Sequence, residues 1–400
     1  HQEARRQRQM CIRDRVQRSL DRMQIDCIDL LQFHAWNYAD PNWLDCLYWL
    51  QGLKAEGLIR HLGLTNFDTA HLRIVANSGI EVVSNQVCFS LIDQRARQGM
   101  TDLCLQHNVK LLAFGTVAGG FLTERWLNQP EPDWENLETW SQMKYGRFIN
   151  AAGGWDKLQY LLAVIEKIAH KHNVSMANVA CRYILEQPAV GGVIIGARLG
   201  KSTHIEDNLR LFEFSLDEQD KAEIEEALSA LNPIPGDCGD EYRKPPFLTA
   251  SGDLSHHLKE IPPPYPAQPK ADGRSIVLSG TPWEEIAGYC RAVRKGNRIL
   301  VSGTTATHGS RAIGGNDPAA QTHFVIDKIE GALQSLGSQL ADVVRTRIYA
   351  HNLDDWEAIA RAHGERFGDI LPANTLVQAT LIGEEYLVEM EAEAVCHSSR

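Results

Sequence analysis

From Ile25 onward the chain repeats one rhythm: a short run rich in Leu, Ile and Val, a loop, then apolar residues at helical spacing. The runs are CIDLLQFH (27–34), IRHLGLTNF (59–67), EVVSNQVCF (81–89), VKLLAFGT (109–116) and VGGVIIGA (190–197), and helical patterns occupy about 42–56, 68–78, 95–107, 156–172 and 175–187. Strands alternating with helices predict βαβ units and a parallel sheet. Strands that stay apolar throughout suit a sheet covered on both faces. Five such units fit either a doubly wound sheet or part of an eight-stranded barrel, and pattern alone does not choose. The polar residues favour the barrel. His34, Thr65 with Asn66, Gln86, Gly115 with Thr116, and Gly196 with Arg198 fall at the C-terminal ends of successive strands, where a barrel builds its site.

A long insertion, Thr123 to Trp155, follows the fourth run and reads as a cover over that site. Ser215 or Asp217 opens a closing helix within 213–231. Residues 233–272, with IPPPYP at 261–266, lack any period and read as an interdomain linker of polyproline character. Beyond it, residues 273–397 change to the order ββ-α-β-α-ββ, which predicts an α+β layer, one sheet with helices on one face. At the other end, HQEARRQRQMCIRDR shows no apolar period. Residues 1–15 are read as a non-native extension that leaves the natural N-terminus missing, with a short basic helix as the other reading. The first unit is taken as 16–232.

Charge and cysteines narrow the function classes. With 51 acidic against 40 basic side chains the formal charge is −11, and the chain has no long Lys/Arg block to attract nucleic acid or anionic lipid. The nine cysteines are scattered, without C-x-x-C pairs or Cys/His clusters at metal spacing. They predict reduced thiols, no metal and a cytoplasmic location. No apolar stretch approaches the roughly 20 residues that span a bilayer, and no hydrophobic leader precedes the pattern.

Five strings now become specific in combination: SLDRMQIDCIDLLQFH, LKAEGLIRHLGLTNF, SNQVCFSL, LLAFGTVAGGFL and VIIGARLGKSTHIEDNL. In this order they resemble strands four to eight of the aldo-keto reductase family. The resemblance implies part of a TIM (β/α)8 barrel and carbonyl reduction by a nicotinamide cofactor. In that family a Tyr held by a Lys and an Asp donates the proton, and a His positions the carbonyl oxygen, because the developing alkoxide needs a donor beside it. Only the His maps here, onto His34. The other three would belong to strands before residue 16, so this chain is expected to lack reductase activity. By the same resemblance Thr65, Asn66 and Gln86 would hold the nicotinamide carboxamide, Phe114 would stack on its ring, and Gly115 and Thr116 would meet the pyrophosphate. Gly196, Ala197 and Arg198 with His204, Asp207 and Asn208 would clasp the adenosine end. Arg198 points to NADP through its 2′-phosphate, with His204 near the place of a second cation and NAD as the alternative. Trp36 either lines a pocket for the small carbonyl substrate or packs.

The second unit carries AGYCRAVRKGNRILVSGTTA, HFVIDKIEGALQSLG, DVVRTRIYAHNLDDWEAIARAHGERFG, LPANTLVQATLI and LVEMEAEAV. These resemble the Rid (YjgF/UK114) family, which implies a chorismate-mutase-like α+β fold and a homotrimer with clefts between subunits. Deaminating members hydrolyse enamines and imines, and use an Arg two residues after a Pro to fork onto the substrate carboxylate. Here the segment reads Pro372, Ala373, Asn374. Asn cannot form that pair, which argues against 2-imino-acid deamination. Glu391 matches the family's water-holding Glu, and Tyr289 and Ser302 match cleft positions. Arg345 and Arg347 alternate on one strand and share a face; they are either a replacement anion contact or surface charge. Two functions follow: a carbonyl reductase fused to a Rid-like domain, or a non-catalytic NADPH-binding sensor joined to a trimeric ligand-binding or assembly module.

Overall fold

The computed structural model describes residues 2–197, 200, 204–243 and 262–396, with side chains from Gln7 onward. Arg198 lies outside the described residues. In the first unit the order is α1 (Gln2–Met23), β1 (Ile28–Phe33), α2 (Asn42–Ala55), β2 (Ile59–Thr65), α3 (Thr69–Ala76), β3 (Ser84–Cys88), α4 (Met100–Gln106) and β4 (Lys110–Phe114). It continues with α5 (Trp140–Ala151), α6 (Trp155–His172), α7 (Met176–Leu185), β5 (Val190–Ile194), α8 (Ile205–Leu209) and α9 (Glu218–Ser229). Helix α1 thus runs without a break through the residues read as an extension.

The five strands pair in sequence order, all parallel. Leu62, Leu64, Val87, Leu111 and Ala113 are fully enclosed, as strands covered on both faces require. Local signals set the helices. Asp68 caps α3 by accepting the amide N–H of His71, α9 opens with a capping box between Asp217 and Asp220, and α6 stops at Asn173 in the left-handed region. The register then aligns the carbonyl ends: Phe33 lies opposite Leu64, Thr65 opposite Gln86, Cys88 opposite Phe114, and Phe114 opposite Ile194. The first unit is therefore a partial (β/α) barrel.

The second unit holds β6 (Gln268–Pro269), β7 (Arg274–Val277), α10 (Pro282–Ile286), β8 (Ala292–Lys295), β9 (Arg298–Thr305), β10 (Thr307–His308) and β11 (Arg311–Ala312). After these come α11 (Pro318–Ser335), β12 (Val343–Ala350), α12 (Trp356–Phe367), β13 (Ala373–Gln378) and β14 (Val388–Val395). Seven strands form one sheet in the order β13-β12-β14-β9-β8-β7-β6, parallel only between β12 and β13. On β14 the side chains alternate: Val388, Met390, Ala392 and Ala394 are buried, while Glu389, Glu391 and Glu393 stay half-buried on the other face.

Helix α11 is buried nearly all round because it packs on β9 and β14 on one side and on α3 of the first unit on another. The junction is polar as well as apolar. His71 Nδ1 stands 2.6 Å from Asp68 and its Nε2 2.9 Å from Asp327, which also takes a bond from Arg366 at 2.7 Å. Arg73 pairs with Asp317 at 2.8 Å, the Gly314 amide donates to Ser78 Oγ at 3.0 Å, and the Arg311 guanidinium lies 3.8 Å from the Tyr48 ring centre. The second unit thus docks through its helix layer. The stretch after α9 also differs from a free linker: residues through Arg243 fold back onto the first sheet.

Burial alone would depress the His71 imidazole, yet the carboxylates of Asp68 and Asp327 outweigh it and hold its pKa above the ordinary value. Protonated His71 therefore stabilises the junction fully below its unfolded pKa of about 6.5, and that contribution is lost as pH rises through the higher folded value. Replacing His71 by Gln should cost about 3–5 kcal/mol in the acidic window, as for other broken buried pairs. Urea denaturation at a series of pH values should show the gap to wild type narrowing as pH rises; a gap that widens would be the wrong sign.

Candidate active site

Beyond the carbonyl end of β4 opens a cleft of about 800 Å³. Phe114, Gly115 and Thr116 line it together with Gly196, Ala197, His204, Asp207 and Asn208. Gly115 has φ +74°, and a Cβ there would stand 2.1 Å from the hydroxyl of Tyr145. Only a glycine leaves room for the Tyr145 ring at that backbone conformation. Thr116 is fully buried with its hydroxyl 3.2 Å from Cys181 Sγ, so its side chain faces inward. Asp207 accepts from Ser175 Oγ at 2.8 Å and from Asn178 Nδ2 at 3.1 Å, which fixes α8 beside the start of α7. The insertion supplies the rim through Trp126, Ser141 and Tyr145. Within this cover the chain forms helix α5, Trp140–Ala151.

The other strand ends line up beside this cleft rather than within it. Asn66 is buried at φ +56°, its amide donates to the Gln86 carbonyl at 2.8 Å, and its side-chain oxygen has no hydrogen-bond partner. Thr65 Oγ1 donates to the same Gln86 carbonyl at 3.3 Å. His34 is enclosed enough that burial, with Arg243 adding to it and Glu241 opposing, lowers its pKa to about 4. It is neutral near pH 7. Its Nε2 is buried without a partner, and its ring lies 4.3 Å from that of Trp36.

The sequence reading missed the group that covers these ends. Arg95 is fully buried: it forks onto Asp93 at 2.8 and 2.6 Å and reaches Glu241 at 3.0 Å. Glu241, also fully buried, takes Lys144 at 3.5 Å on its other oxygen. Lys144 Nζ donates to the Tyr242 hydroxyl at 3.1 Å and sits 4.8 Å from the Phe114 ring centre. Arg243 donates to the carbonyls of Ala35 at 2.6 Å and Asn66 at 2.8 Å. The available signal was the motif DCGDEYR (237–243), a charged cluster around Gly239 in the stretch that follows α9.

In the second unit the four proposed cleft residues do not converge within one chain. Ser302 Oγ donates to the Cys290 carbonyl at 2.8 Å, and Tyr289 Oη accepts from Arg291 at 3.3 Å. Glu391 is paired with Arg347 at 3.1 Å, which also holds Glu393 at 3.0 Å. Arg347 is therefore occupied by these two carboxylates. Asn374 donates to Thr346 Oγ1 at 2.9 Å, and Thr346 contacts His363 of α12, so Asn374 lies on the helix side and Glu391 on the open side.

A sequence profile of the aldo/keto reductase family matches residues 1–229, and one described as endoribonuclease L-PSP matches residues 281–396. The chain belongs to the aldo/keto reductase family. Its second unit is a domain of the YjgF type fused to that barrel. An uncharacterised oxidoreductase, YqkF of Bacillus subtilis, is 29% identical over 199 residues, covering 50% of this chain and 59% of that protein. A RutC family protein of Pyrococcus abyssi is 30% identical over 122 residues, covering 30% of this chain and 96% of that protein. A crystal structure of a YjgF/YER057c/UK114 family member from Mycobacterium tuberculosis shares 43% identity, covering 30% of this chain and 98% of that one with a TM-score of 0.28. The chain spans 33%, 59% and 65% of three curated relatives matched by its first unit.

Burial raises the Glu241 carboxyl, but Lys144 and Arg95 outweigh it and leave its pKa below the ordinary value. Its contribution is present above the unfolded pKa of about 4.3 and is lost as pH falls through the lower folded value. Glu241→Gln leaves Lys144 without its carboxylate in a buried site, and should cost about 3–5 kcal/mol at neutral pH. Urea denaturation of the variant measures this, and an unchanged midpoint would mean that the ion pairs do not hold the segment in place.

Proposed function

We propose that the first unit binds a nicotinamide dinucleotide in the 800 Å³ cleft, NADP in preference to NAD, as a cytoplasmic oxidoreductase acting on small carbonyl compounds. The observation that carries this is the convergence of Phe114, Gly115, Thr116, Gly196, Ala197, His204, Asp207 and Asn208 on one cleft, from segments far apart in sequence. The fit is good at the pyrophosphate and adenosine half, where glycine backbone and a polar rim meet. At the ring half, Lys144 stands over Phe114 and must shift before a flat ring can stack there. When bound, the dinucleotide supplies hydride to a carbonyl carbon. His34, neutral and with an unpartnered Nε2, donates a hydrogen bond to the carbonyl oxygen. The resemblance maps no residue of this chain onto the family's Tyr proton donor, so the chain as it stands is expected to bind without turnover.

A second reading, a dinucleotide-binding sensor, is favoured by one observation: Tyr242 and Trp36 cover His34. Titration with NADPH, followed by its fluorescence, should show binding, while NADPH oxidation with a panel of aldehydes should stay at background. Robust turnover would overturn the inactivity. Arg198→Ala should weaken NADPH by about 10- to 100-fold more than NADH, the equivalent of one charge-assisted hydrogen bond at roughly 1.5–3 kcal/mol. Equal losses would remove Arg198 from the 2′-phosphate.

For the second unit we propose a homotrimer built through the open sheet face, because the helix layer is already spent on the first unit. The trimer is a ligand-binding or assembly module without imine deaminase activity, since the guanidinium beside Glu391 is held by two carboxylates. Sedimentation equilibrium of the whole chain should give three times the chain mass, and 2-iminopropionate should hydrolyse no faster than in buffer. A monomer would refute the assembly, and enzyme-dependent hydrolysis would refute the lost activity.

A further inference from the structure

One side chain that the sequence reading assigned to no site closes over His34, and it comes from a stretch whose backbone is otherwise fixed. Asp237 accepts the amide N–H of Thr69 at 2.7 Å, and a Cβ on Gly239 would stand 2.1 Å from the Asn66 carbonyl oxygen. Glu241 is enclosed by Arg95 and Lys144, and Arg243 is bound to two strand-end carbonyls. Tyr242 is held more loosely. Its side chain is only half-buried, its ring meets His34 at 5.7 Å and Trp36 at 6.4 Å edge-on, and its hydroxyl accepts one hydrogen bond, from Lys144.

The consequence falls on a single atom. His34 Nε2 is shut away from solvent with no hydrogen-bond partner, although buried polar atoms are ordinarily satisfied. Turning the tyrosine ring aside would let water or a ligand satisfy it. Such a turn gives up the Lys144 hydrogen bond, the contact of Lys144 Nζ 4.6 Å from the ring centre and two edge contacts, and leaves Lys144 beside Glu241 at 3.5 Å. A closed state with an unmet hydrogen bond and an open state that satisfies it are the ingredients of a two-state element.

We propose that Tyr242 is a side-chain gate whose ring swings away to admit a carbonyl oxygen to His34 Nε2, and that Lys144 latches it shut through the tyrosine hydroxyl. This rests on the reading of His34 as the group that faces the carbonyl, but access to the ring can be measured without any ligand. Diethyl pyrocarbonate modifies unprotonated imidazole, and modification of each histidine can be followed by peptide mass spectrometry on the 400-residue chain. At about pH 6 an exposed histidine is partly protonated, whereas His34, with a pKa of about 4, is not. Slow modification of His34 then means cover rather than charge.

In wild type His34 should react at least about tenfold more slowly than exposed His61, as an open state populated at about ten per cent or less requires. Tyr242→Ala should bring it close to the His61 rate. Lys144→Met, which keeps the ring and removes the latch, should give an intermediate rate and carries the test if Tyr242→Ala does not fold. A wild-type rate equal to that of His61, or variants that both stay as slow as wild type, would overturn the gate. If His34 opens in Tyr242→Ala yet still ignores carbonyl compounds, the gate stands and the carbonyl reading falls.

Discussion

The arrangement at the carbonyl ends of the first sheet depends on one buried carboxylate. Glu241 joins Arg95, 146 residues before it, to Lys144, 97 residues before it, and so ties the loop after β3, helix α5 of the insertion and the stretch after α9 into one cluster. With Asp93, four charges are taken out of water, which is costly, and well-packed apolar residues often do as well for stability. What the cluster contributes is position. Lys144 arrives over Phe114 and Tyr242 arrives against His34 because both are bonded to or adjacent to the same carboxylate.

A second charge network repeats this logic between the units, and the two meet at the start of α3. Asp68 caps that helix and holds His71, which reaches across to Asp327. Asp68 is two residues beyond Asn66, whose carbonyl takes Arg243, and the next amide, Thr69, donates to Asp237. The site-covering segment and the docked domain therefore brace the same turn from opposite sides. Contact of this kind is a physical connection; it transmits energy only through an element with two arrangements. Asp68 and His71 are pinned by several bonds each, which makes the turn a rigid anchor for both neighbours rather than a hinge.

Much of the first unit was legible because buried parallel strands are continuously apolar and their polar residues concentrate at one end. His34, Thr65 and Thr116 stand where that rule puts them, while Gln86 lies opposite Thr65 in the middle of β3. Helix α5 was not legible, because its buried face carries Gln142, Lys144, Tyr145 and Gly146 rather than a clean apolar stripe. Its burial depends on partners far away in sequence. The same holds for Asp237 to Arg243: four charged residues, Asp237, Asp240, Glu241 and Arg243, in seven positions look like a solvated linker until Arg95 and Lys144 are known to be waiting for them.

In the second unit the element order was legible, but the relation between Asn374 and Glu391 was not, because it is a matter of register. Side chains alternate along a strand, so a shift of one residue in pairing moves a side chain to the other face. Thr346 pairs with Asn374 on one side and with Ala392 on the other, which puts Asn374 on the face that packs against α12. Arg347, one residue on, pairs with Glu391 and shares the open face with it. Within one chain the position that would grip a carboxylate and the position that would hold water lie on opposite faces of the sheet. Even a longer, charged side chain at 374 would have to come round the edge strand β13 to reach Glu391.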